Sequence, residues 1–204
     1  MNFRHGPLRE ILEAVLLALI VFVLIREVVQ NFRVEGASML PTLESGEFVL
    51  VDKISYSEVH LGPLTALIPG RDNGDYFFSG PARGDLVVFQ PPDDRFRDYV
   101  KRVIGLPGDT IEVRDGSVVV NGRLLEETTY TQAAPPYQWD PVLIPQDHYF
   151  VMGDNRQNSV DSLSFGPIHK SLILGRVIFR WFPIEKIGSV GRRELLGKNG
   201  LGIP

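Results

Sequence analysis

Ser38 lies in a short stretch of mixed polarity, Gly36-Ala37-Ser38-Met39-Leu40-Pro41. A serine hydroxyl becomes a nucleophile when a neighbouring base takes its proton. A serine just before a proline also commonly caps a turn by hydrogen-bonding the local backbone, and on this stretch alone that structural role is the more frequent one. Chemistry at Ser38 therefore requires a base from elsewhere in the chain.

Lys101 is the candidate base, and it sits inside the apolar run Tyr99-Val100-Lys101-Arg102-Val103-Ile104. In a strand, alternation sends Lys101 to one face and Arg102 to the other. The sequence leaves open whether Lys101 is a solvated edge charge or a buried one. A lysine base must be neutral, and an ordinary pKa of about 10.4 leaves only about one lysine in a thousand neutral near pH 7.4. Burial would have to lower that pKa to near 8.

A polar run, Gly153-Asp154-Asn155-Arg156-Gln157-Asn158-Ser159-Val160-Asp161-Ser162, follows an apolar strand. Such a run is normally a loop whose side chains hydrogen-bond their own backbone. Its oxygen ligands suit a cation, but the glycine and the bidentate glutamate of an EF-hand loop are missing, so no metal is expected. The chain has no cysteine, which excludes thiol catalysis and cysteine-ligated zinc.

The four histidines offer a different base for Ser38. They are His5, His60, His148 and His169, and none lies beside an obvious orienting carboxylate. A Ser-His-Asp site assembled in space stays open, although no nucleophile elbow of the G-x-S-x-G type occurs. The pairing of Ser38 with Lys101 is the favoured hypothesis.

The N-terminal segment holds twelve consecutive apolar residues, Ala14 to Ile25. As a helix this run covers about 18 Å, whereas Leu8 to Phe32 would reach about 37 Å. A cleaved signal peptide and a buried core helix are the alternatives to a retained membrane anchor. We favour the anchor, which requires Glu13 and Arg26 to extend towards the interfaces. The flanking charges leave its orientation open.

The rest of the chain predicts a mainly β fold of antiparallel sheets with long loops, because short β-branched and aromatic runs alternate with turn residues. We expect a membrane anchor over residues 1–32, one β-rich catalytic domain over 33–190 and a tail over 191–204. A net charge of −4 with scattered basic residues disfavours nucleic acid as a partner. The predicted strands are Glu47–Ile54, Asp85–Gln90, Tyr99–Ile104, Thr110–Arg114, Ser117–Val120, His148–Met152 and Leu174–Phe182, with Asp115-Gly116 as a hairpin turn and Gly62–Gly84 and Glu127–Gln146 as long loops.

Taken together and in this order, the apolar segment, Ser-Met-Leu-Pro-Thr-Leu, Tyr-Val-Lys-Arg-Val-Ile-Gly-Leu-Pro-Gly-Asp and Gly-Asp-Asn-Arg resemble bacterial type I signal peptidase. The resemblance covers roughly residues 8 to 188. It implies a single-pass protein of the plasma membrane with an extracytoplasmic β-rich domain and no cofactor. The implied partners are membrane lipid and the signal peptides of exported preproteins, which are cut after small residues (Ala-x-Ala).

The resemblance also implies residue roles. Ser38 would be the nucleophile and Lys101 the general base, while the hydroxyl of Ser159 would orient the lysine. Asp161 matches a structural carboxylate, and the backbone N–H of Ser38 would donate to the oxyanion. Gly36 stands where some members carry a hydroxyl as a second oxyanion donor, which puts that donation in doubt.

The substrate would add as an extended strand beside residues 34–38 and 98–100. Two departures from the family pattern affect the polar loop: Gln157 replaces an acidic residue, and Leu163 stands where an arginine often pairs with the carboxylate matching Asp161. The implied substrate-binding residues are Phe32, Val34, Met39, Leu43, Val49, Val88, Tyr99 and Val100.

Two other functions remain as alternatives. A self-cleaving, repressor-type protease would share the Ser-Lys pair, but that class is soluble and DNA-linked, and no DNA-binding module is visible here. The second is a non-enzymatic, membrane-anchored β module with a peptide-binding edge. Such a module would not need Ser38 or Lys101, so the presence of both in the matching motifs disfavours it.

Overall fold

The computed structural model describes residues 7–56, 80–94, 96–127, 130–131 and 136–190. Most of the predicted loop Gly62–Gly84 and the whole tail 191–204 lie outside the described residues, as do His5 and His60.

One long helix, α1 (Pro7–Val28), precedes the sheets. Arg9 Nε donates to Glu13 Oε1 at 2.7 Å, a favourable pair one helical turn apart. Ten large apolar side chains between Ile11 and Val23 are 45% to 69% exposed. Nowhere in the described part of the chain does a helix combine the length and apolarity needed to cross a membrane.

Twelve short strands make up the rest of the described fold, together with a one-turn helix, α2 (Ser162–Phe165). Each predicted strand is present, with bounds that agree to within two residues. The strands are β1 (Val29–Arg33), β2 (Phe48–Asp52), β3 (Leu86–Phe89), β4 (Tyr99–Gly105), β5 (Thr110–Arg114), β6 (Ser117–Val120), β7 (Arg123–Leu124), β8 (Trp139–Leu143), β9 (His148–Met152), β10 (Ile168–His169), β11 (Ile173–Phe182) and β12 (Gly188–Ser189).

The strands form two sheets, and every pairing is antiparallel. The larger sheet has the order β1-β2-β11-β3-β4-β9-β10, with β12 paired to β11. The smaller sheet has the order β7-β6-β5-β8. The predicted mainly β, antiparallel fold is therefore confirmed for the described residues.

The predicted hairpin at Asp115-Gly116 is confirmed. Asp115 has φ 49° and Gly116 has φ 76°, the left-handed pair that a type I′ turn needs between β5 and β6. Asn121 and Gly122 repeat this geometry with φ 53° and 76°. These two turns fix the order β7-β6-β5 in the smaller sheet.

Five of the twelve described strands were not predicted, and two of these, β1 and β8, contradict what was expected of their residues. The prediction that Glu127–Gln146 is a loop is wrong over β8, which pairs with β5 through Ile111 and Val142. Pro141 is tolerated there because β8 is an edge strand. The segment Val29–Phe32, expected to end the anchor, instead belongs to β1, because its backbone pairs with β2 from Val29↔Asp52 to Arg33↔Phe48.

Three clusters of buried apolar side chains form the core among the described residues. The cluster beneath β1, β2 and β3 contains Val34, Met39, Leu43, Val49, Val51, Leu86, Val88 and Val177. The opposite face of the large sheet carries Tyr56, Val87, Phe89, Val103, Tyr149, Val151 and Ile168. A third cluster between the two sheets contains Ile104, Ile111, Val113, Val118, Val120, Leu125, Tyr130, Ile144, Phe150 and Met152.

Candidate active site

An open groove of about 800 Å³ lies on the large sheet between two segments of chain. One wall is the end of β1 and the stretch after it, from Phe32 to Ser38, and the other is the start of β4 with the turn before it. Ser38 and Lys101 both line this groove. The two residues that the sequence singled out for chemistry thus share one surface.

Lys101 Nζ donates to Ser38 Oγ at 2.7 Å, although the residues are 63 positions apart. Ser38 sits in a turn in which Leu40 N–H reaches the carbonyl of Ala37 at 3.3 Å. Lys101 projects from β4 and is only 4% exposed. The same short contact can carry a proton from the hydroxyl to a neutral amine.

Burial lowers the pKa of Lys101 to about 8, while the negative charges of Asp161 and Asp154 oppose that shift. On the same face of β4, Val103 is fully buried and the Tyr99 ring lies 5.3 Å from Lys101 Nζ. Lys101 thus lies on a buried face of β4 with a lowered pKa, as its proposed role as a base requires. About a fifth of a lysine with that pKa is neutral at pH 7.4.

Arg102, on the opposite face, has 0% exposure and is fully paired. Its Nε and Nη2 donate to the two carboxylate oxygens of Asp154 at 2.8 and 2.6 Å, and Nη1 donates to the carbonyl of Gly84 at 3.0 Å. The guanidinium lies 4.3 Å from the Tyr130 ring centroid. The guanidinium therefore has a carboxylate, a backbone carbonyl and an aromatic ring as partners, whereas Lys101 Nζ contacts a hydroxyl.

The polar loop after β9 clamps the backbone of the Ser38 turn. Asn155 N–H donates to the carbonyl of Ser38 at 3.0 Å, and Asn155 Nδ2 donates to the carbonyl of Ala37 at 3.1 Å. Thr42 Oγ1 donates to Asp154, which ties the far end of the turn to the same loop. Three contacts therefore fix the position of Ser38 relative to β9.

Gly153 is required by close packing at the start of this loop. A Cβ at this position would overlap the Ser159 side chain and the carbonyl of Ser38. Any larger residue would push Ser38 or Ser159 away. The Gly-Asp-Asn-Arg motif is visible in the sequence, but the close packing of Gly153 against Ser159 and Ser38 is not.

Ser159 and Asp161 lie in the same loop but contact different groups. Ser159 Oγ is buried and has no hydrogen-bond partner, so the structure does not join it to Lys101. Asp161 accepts from Gly153 N–H at 2.9 Å and caps α2 by accepting from Leu163 N–H at 3.2 Å. Two backbone donors thus hold the Asp161 carboxylate, and Leu163, which stands where an arginine often pairs with that carboxylate in the family, packs against the core.

Gly36 has φ +84°, a conformation that strains residues with a side chain. A Cβ there would meet no atom within 4 Å, so the obstacle to a hydroxyl-bearing residue is backbone conformation rather than space. A residue with a hydroxyl at this position would therefore either be strained or require the backbone to change.

Most of the predicted substrate-binding residues line the groove, while Met39 and Leu43 do not. Met39 is 1% exposed and Leu43 is 0% exposed, so both lie in the core beneath the groove. The residues that do line it are Phe32, Val34, Val49, Val88, Tyr99 and Val100.

The edge of β4 facing the groove has an open backbone. Val103 donates to the carbonyl of Asp85 at 2.9 Å and accepts from Gly84 N–H at 2.8 Å, so its polar groups face β3. By alternation, the N–H and C=O of Val100 face the other way. Val100 is the register partner of Val88 in β3, but on the opposite side β9 pairs with β4 only from Arg102 onwards, so no described strand lies beside Val100 on that side. An extended peptide can add here.

A second buried ion pair, between Arg156 and Glu127, lies behind the loop and was not predicted from the sequence. Arg156 Nη1 donates to Glu127 Oε2 at 2.7 Å, and Arg156 Nε donates to the carbonyl of Gly153 at 3.0 Å. Tyr130 donates to Glu127 at 2.9 Å, and burial together with Glu127 raises the pKa of Tyr130. Arg156 was visible in the motif, whereas nothing local in the sequence distinguished Glu127.

The two described histidines do not supply a base for Ser38. His148 and His169 pair with each other, with ring centroids 5.0 Å apart. Their Nδ1 atoms contact the carbonyl of Gln146 and the hydroxyl of Ser171, both at 2.8 Å. Within the described ranges, no group of three His, Cys, Asp or Glu side chains is placed to hold a metal ion.

A hydroxyl against a buried amine, beside an open strand edge, is typical of a peptide hydrolase of the serine class. Residues 8–182 match the family model described as signal peptidase, peptidase S26. The chain belongs to this family and is a serine peptidase.

Named relatives agree over most of the chain. Signal peptidase I of Leptolyngbya laminosa is 37% identical over 194 residues, covering 91% of this chain and 85% of that one. Probable signal peptidase I-2 of Synechocystis sp. is 38% identical over 177 residues, covering 84% and 72%. The match to a crystal structure of a signal peptidase I from Enterococcus faecalis is 29% identical and covers 48% of this chain and 97% of that one, with a TM-score of 0.41.

The buried pair of Arg102 and Asp154 yields a stability prediction. Asp154→Ala leaves the guanidinium buried without its carboxylate, so we expect the free energy of unfolding to fall by about 3–5 kcal/mol. Arg114→Ala is the control, because its ion pair with Glu112 has the arginine side chain 60% exposed, and its loss should cost under about 1 kcal/mol. Urea denaturation measures both, and equal losses would contradict the prediction.

Proposed function

We propose that this protein is a membrane-bound signal peptidase I, a serine endopeptidase that removes signal peptides from exported preproteins after Ala-x-Ala. The observation that carries the proposal is the 2.7 Å contact between Lys101 Nζ and Ser38 Oγ. An amine with a pKa of about 8 provides a substantial neutral fraction near physiological pH.

In the acylation step, neutral Lys101 takes the proton of Ser38 as Oγ attacks the carbonyl carbon of the scissile peptide bond. The resulting oxyanion accepts a hydrogen bond from the backbone N–H of Ser38. Protonated Lys101 then gives its proton to the leaving amine, and the peptide bond breaks to leave an acyl-enzyme. Charge on Lys101 is transient, and Asp161 and Asp154 stabilise it.

In the deacylation step, water takes the place of the leaving peptide. Lys101, neutral again, removes a proton from that water as it attacks the ester carbonyl. The tetrahedral intermediate collapses, and the proton returns to Ser38 Oγ as the signal peptide leaves. One buried amine thus serves both halves of the reaction.

Ser159 is proposed to support Lys101. Its buried hydroxyl has no partner, and it packs beside Gly153 next to the carbonyl of Ser38. A buried hydroxyl has the capacity to hydrogen-bond, and leaving it unpaired costs free energy. We propose that it bonds Lys101 Nζ when substrate occupies the groove.

Preference for small residues follows from the side chains on the groove. A substrate strand beside the open edge at Val100 directs alternate side chains towards the sheet. There they would meet the branched side chains of Val34, Val49 and Val88, which line the groove, and such bulky walls favour alanine-sized groups. The buried Met39 and Leu43 act indirectly, by supporting those residues from the core.

We propose that α1 anchors the enzyme in the plasma membrane, with the β-rich domain, residues 33–190, on the extracytoplasmic side. In support, its apolar side chains from Ile11 to Val23 are exposed to an extent that water disfavours. Arg9 and Glu13 lie at one end and Arg26 at the other, as interfacial charges would. Because α1 runs directly into β1, the anchor holds the groove near the bilayer.

The Ser38–Lys101 pair predicts loss of activity in two variants. Ser38→Ala removes the nucleophile, and Lys101→Met keeps the length of the side chain while removing the base. We expect each to lower kcat/KM on an Ala-x-Ala preprotein in detergent by about 10³-fold or more. Circular dichroism and a thermal melt check that both variants fold. Undiminished cleavage by either folded variant would contradict the assigned roles.

The lowered pKa of Lys101 predicts the pH profile. The active form is the neutral amine, so kcat/KM should rise about tenfold per pH unit below pH 8 and level off above it. Asp161→Asn removes a negative charge that raises this pKa, so its profile should shift to lower pH. A rate that is still rising at pH 10 would show an ordinary, solvated lysine.

The anchor hypothesis predicts vesicle binding by the full chain. Flotation with phospholipid vesicles should carry the wild-type protein, whereas Leu16→Arg with Ile20→Arg should stay behind, because each central arginine costs about 2.5–3.5 kcal/mol in a bilayer. The double variant should still cleave a soluble peptide. Leu124→Arg, at an exposed position of β7, is the control and should float. Equal flotation of all three proteins would refute insertion through α1.

A further inference from the structure

Phe96 is 100% exposed, the most exposed large apolar side chain in the described residues. It lines the same groove as Ser38 and Lys101. Along the chain it lies before Lys101, in the turn that leads into β4. A phenylalanine wholly in water forgoes the free energy that burial of its ring would release. Something apolar that enters the groove would recover it.

The turn before β4 holds Phe96 in this position. Asp94 Oδ1 accepts from Phe96 N–H at 3.0 Å, and Asp94 Oδ2 lies 3.7 Å from Arg97 Nε. Asp94 N–H in turn reaches the carbonyl of Pro91 at 3.3 Å. The backbone at Phe96 is therefore tied to its own turn, while its side chain is left free to contact a ligand.

The position of Phe96 along the wall indicates which part of a substrate it would meet. Phe96 precedes Val100 by four residues, in the turn before β4, so a peptide that adds parallel to β4 would reach Phe96 upstream of the residues that lie beside Val100. If Val100 lies beside the first to third residues before the cut, Phe96 lies beside about the fifth to seventh. Signal peptides have the end of their apolar segment there, just before the small residues.

We propose that Phe96 forms an upstream subsite that binds an apolar side chain about five to seven residues before the cut. This inference rests on the proposed peptidase activity and adds a second element of selectivity to it. The small pockets near Ser38 select against bulk, whereas Phe96 selects for an apolar residue farther upstream. A peptide with Ala-x-Ala but a polar upstream segment would lack this contact.

The experiment compares two soluble peptides that share one Ala-x-Ala site. One carries leucine and the other serine at the fifth to seventh residues before the cut. We expect the wild-type enzyme to have a KM about tenfold lower for the leucine peptide, and Phe96→Ala to lose most of that difference with little change in kcat. Phe96→Leu should restore the preference, because it restores an apolar side chain.

Leu124→Ala is the matched control, since Leu124 is 64% exposed on β7 and does not line the groove. It should keep the wild-type preference for the leucine peptide. If Phe96→Ala also keeps that preference, the subsite is refuted while the peptidase activity stands. If the wild-type protein cleaves neither peptide, the proposed function itself fails.

A contact between Phe96 and lipid is the competing explanation, and the same variants distinguish it. Both peptides are cleaved again with the enzyme in phosphatidylcholine vesicles. If Phe96→Ala slows both peptides equally in vesicles and leaves their ratio in detergent unchanged, Phe96 contacts lipid rather than substrate, and the proposal is overturned.

Discussion

Burial of Lys101 in β4 lowers the pKa of its amine to about 8, and the rest of the site either keeps that amine dry or holds Ser38 within 2.7 Å of it. Desolvation is effective here because Val103 and Tyr99 flank the lysine on one face of the sheet. The nearby carboxylate of Asp161 limits how far the pKa of Lys101 falls, so the amine gains and loses its proton at a pH near neutral.

Lys101 and Arg102 are adjacent on β4 but have different surroundings, because their side chains lie on opposite faces of the strand. Arg102 is as buried as Lys101, but it meets Asp154 and the carbonyl of Gly84 in a geometry that suits a guanidinium. Lys101 meets a hydroxyl and apolar surface instead. The Arg102–Asp154 pair is also structural, since Asp154 joins the turn that carries Ser38 to the loop after β9.

The loop after β9 organises the site through its backbone as much as through its side chains. Because Gly153 has no side chain, the Ser159 side chain and the Ser38 carbonyl can pack close to its backbone. Arg156 donates to the Gly153 carbonyl and is itself held by Glu127. A change at Glu127 would therefore reach Ser38 through two intermediate residues, Arg156 and Gly153. Rigid support of this kind keeps a nucleophile and its base in register.

The sequence by itself determined the features that depend on local pattern. Alternation of apolar residues located β4 and the other long strands, and Asp115-Gly116 located a turn, because the residues that specify these elements are neighbours in the chain. Only the tertiary structure decided β1 and β8, whose strand character comes from the partners they pair with. It also decided that Lys101 reaches Ser38, because burial and distance depend on residues that fold together from distant parts of the chain.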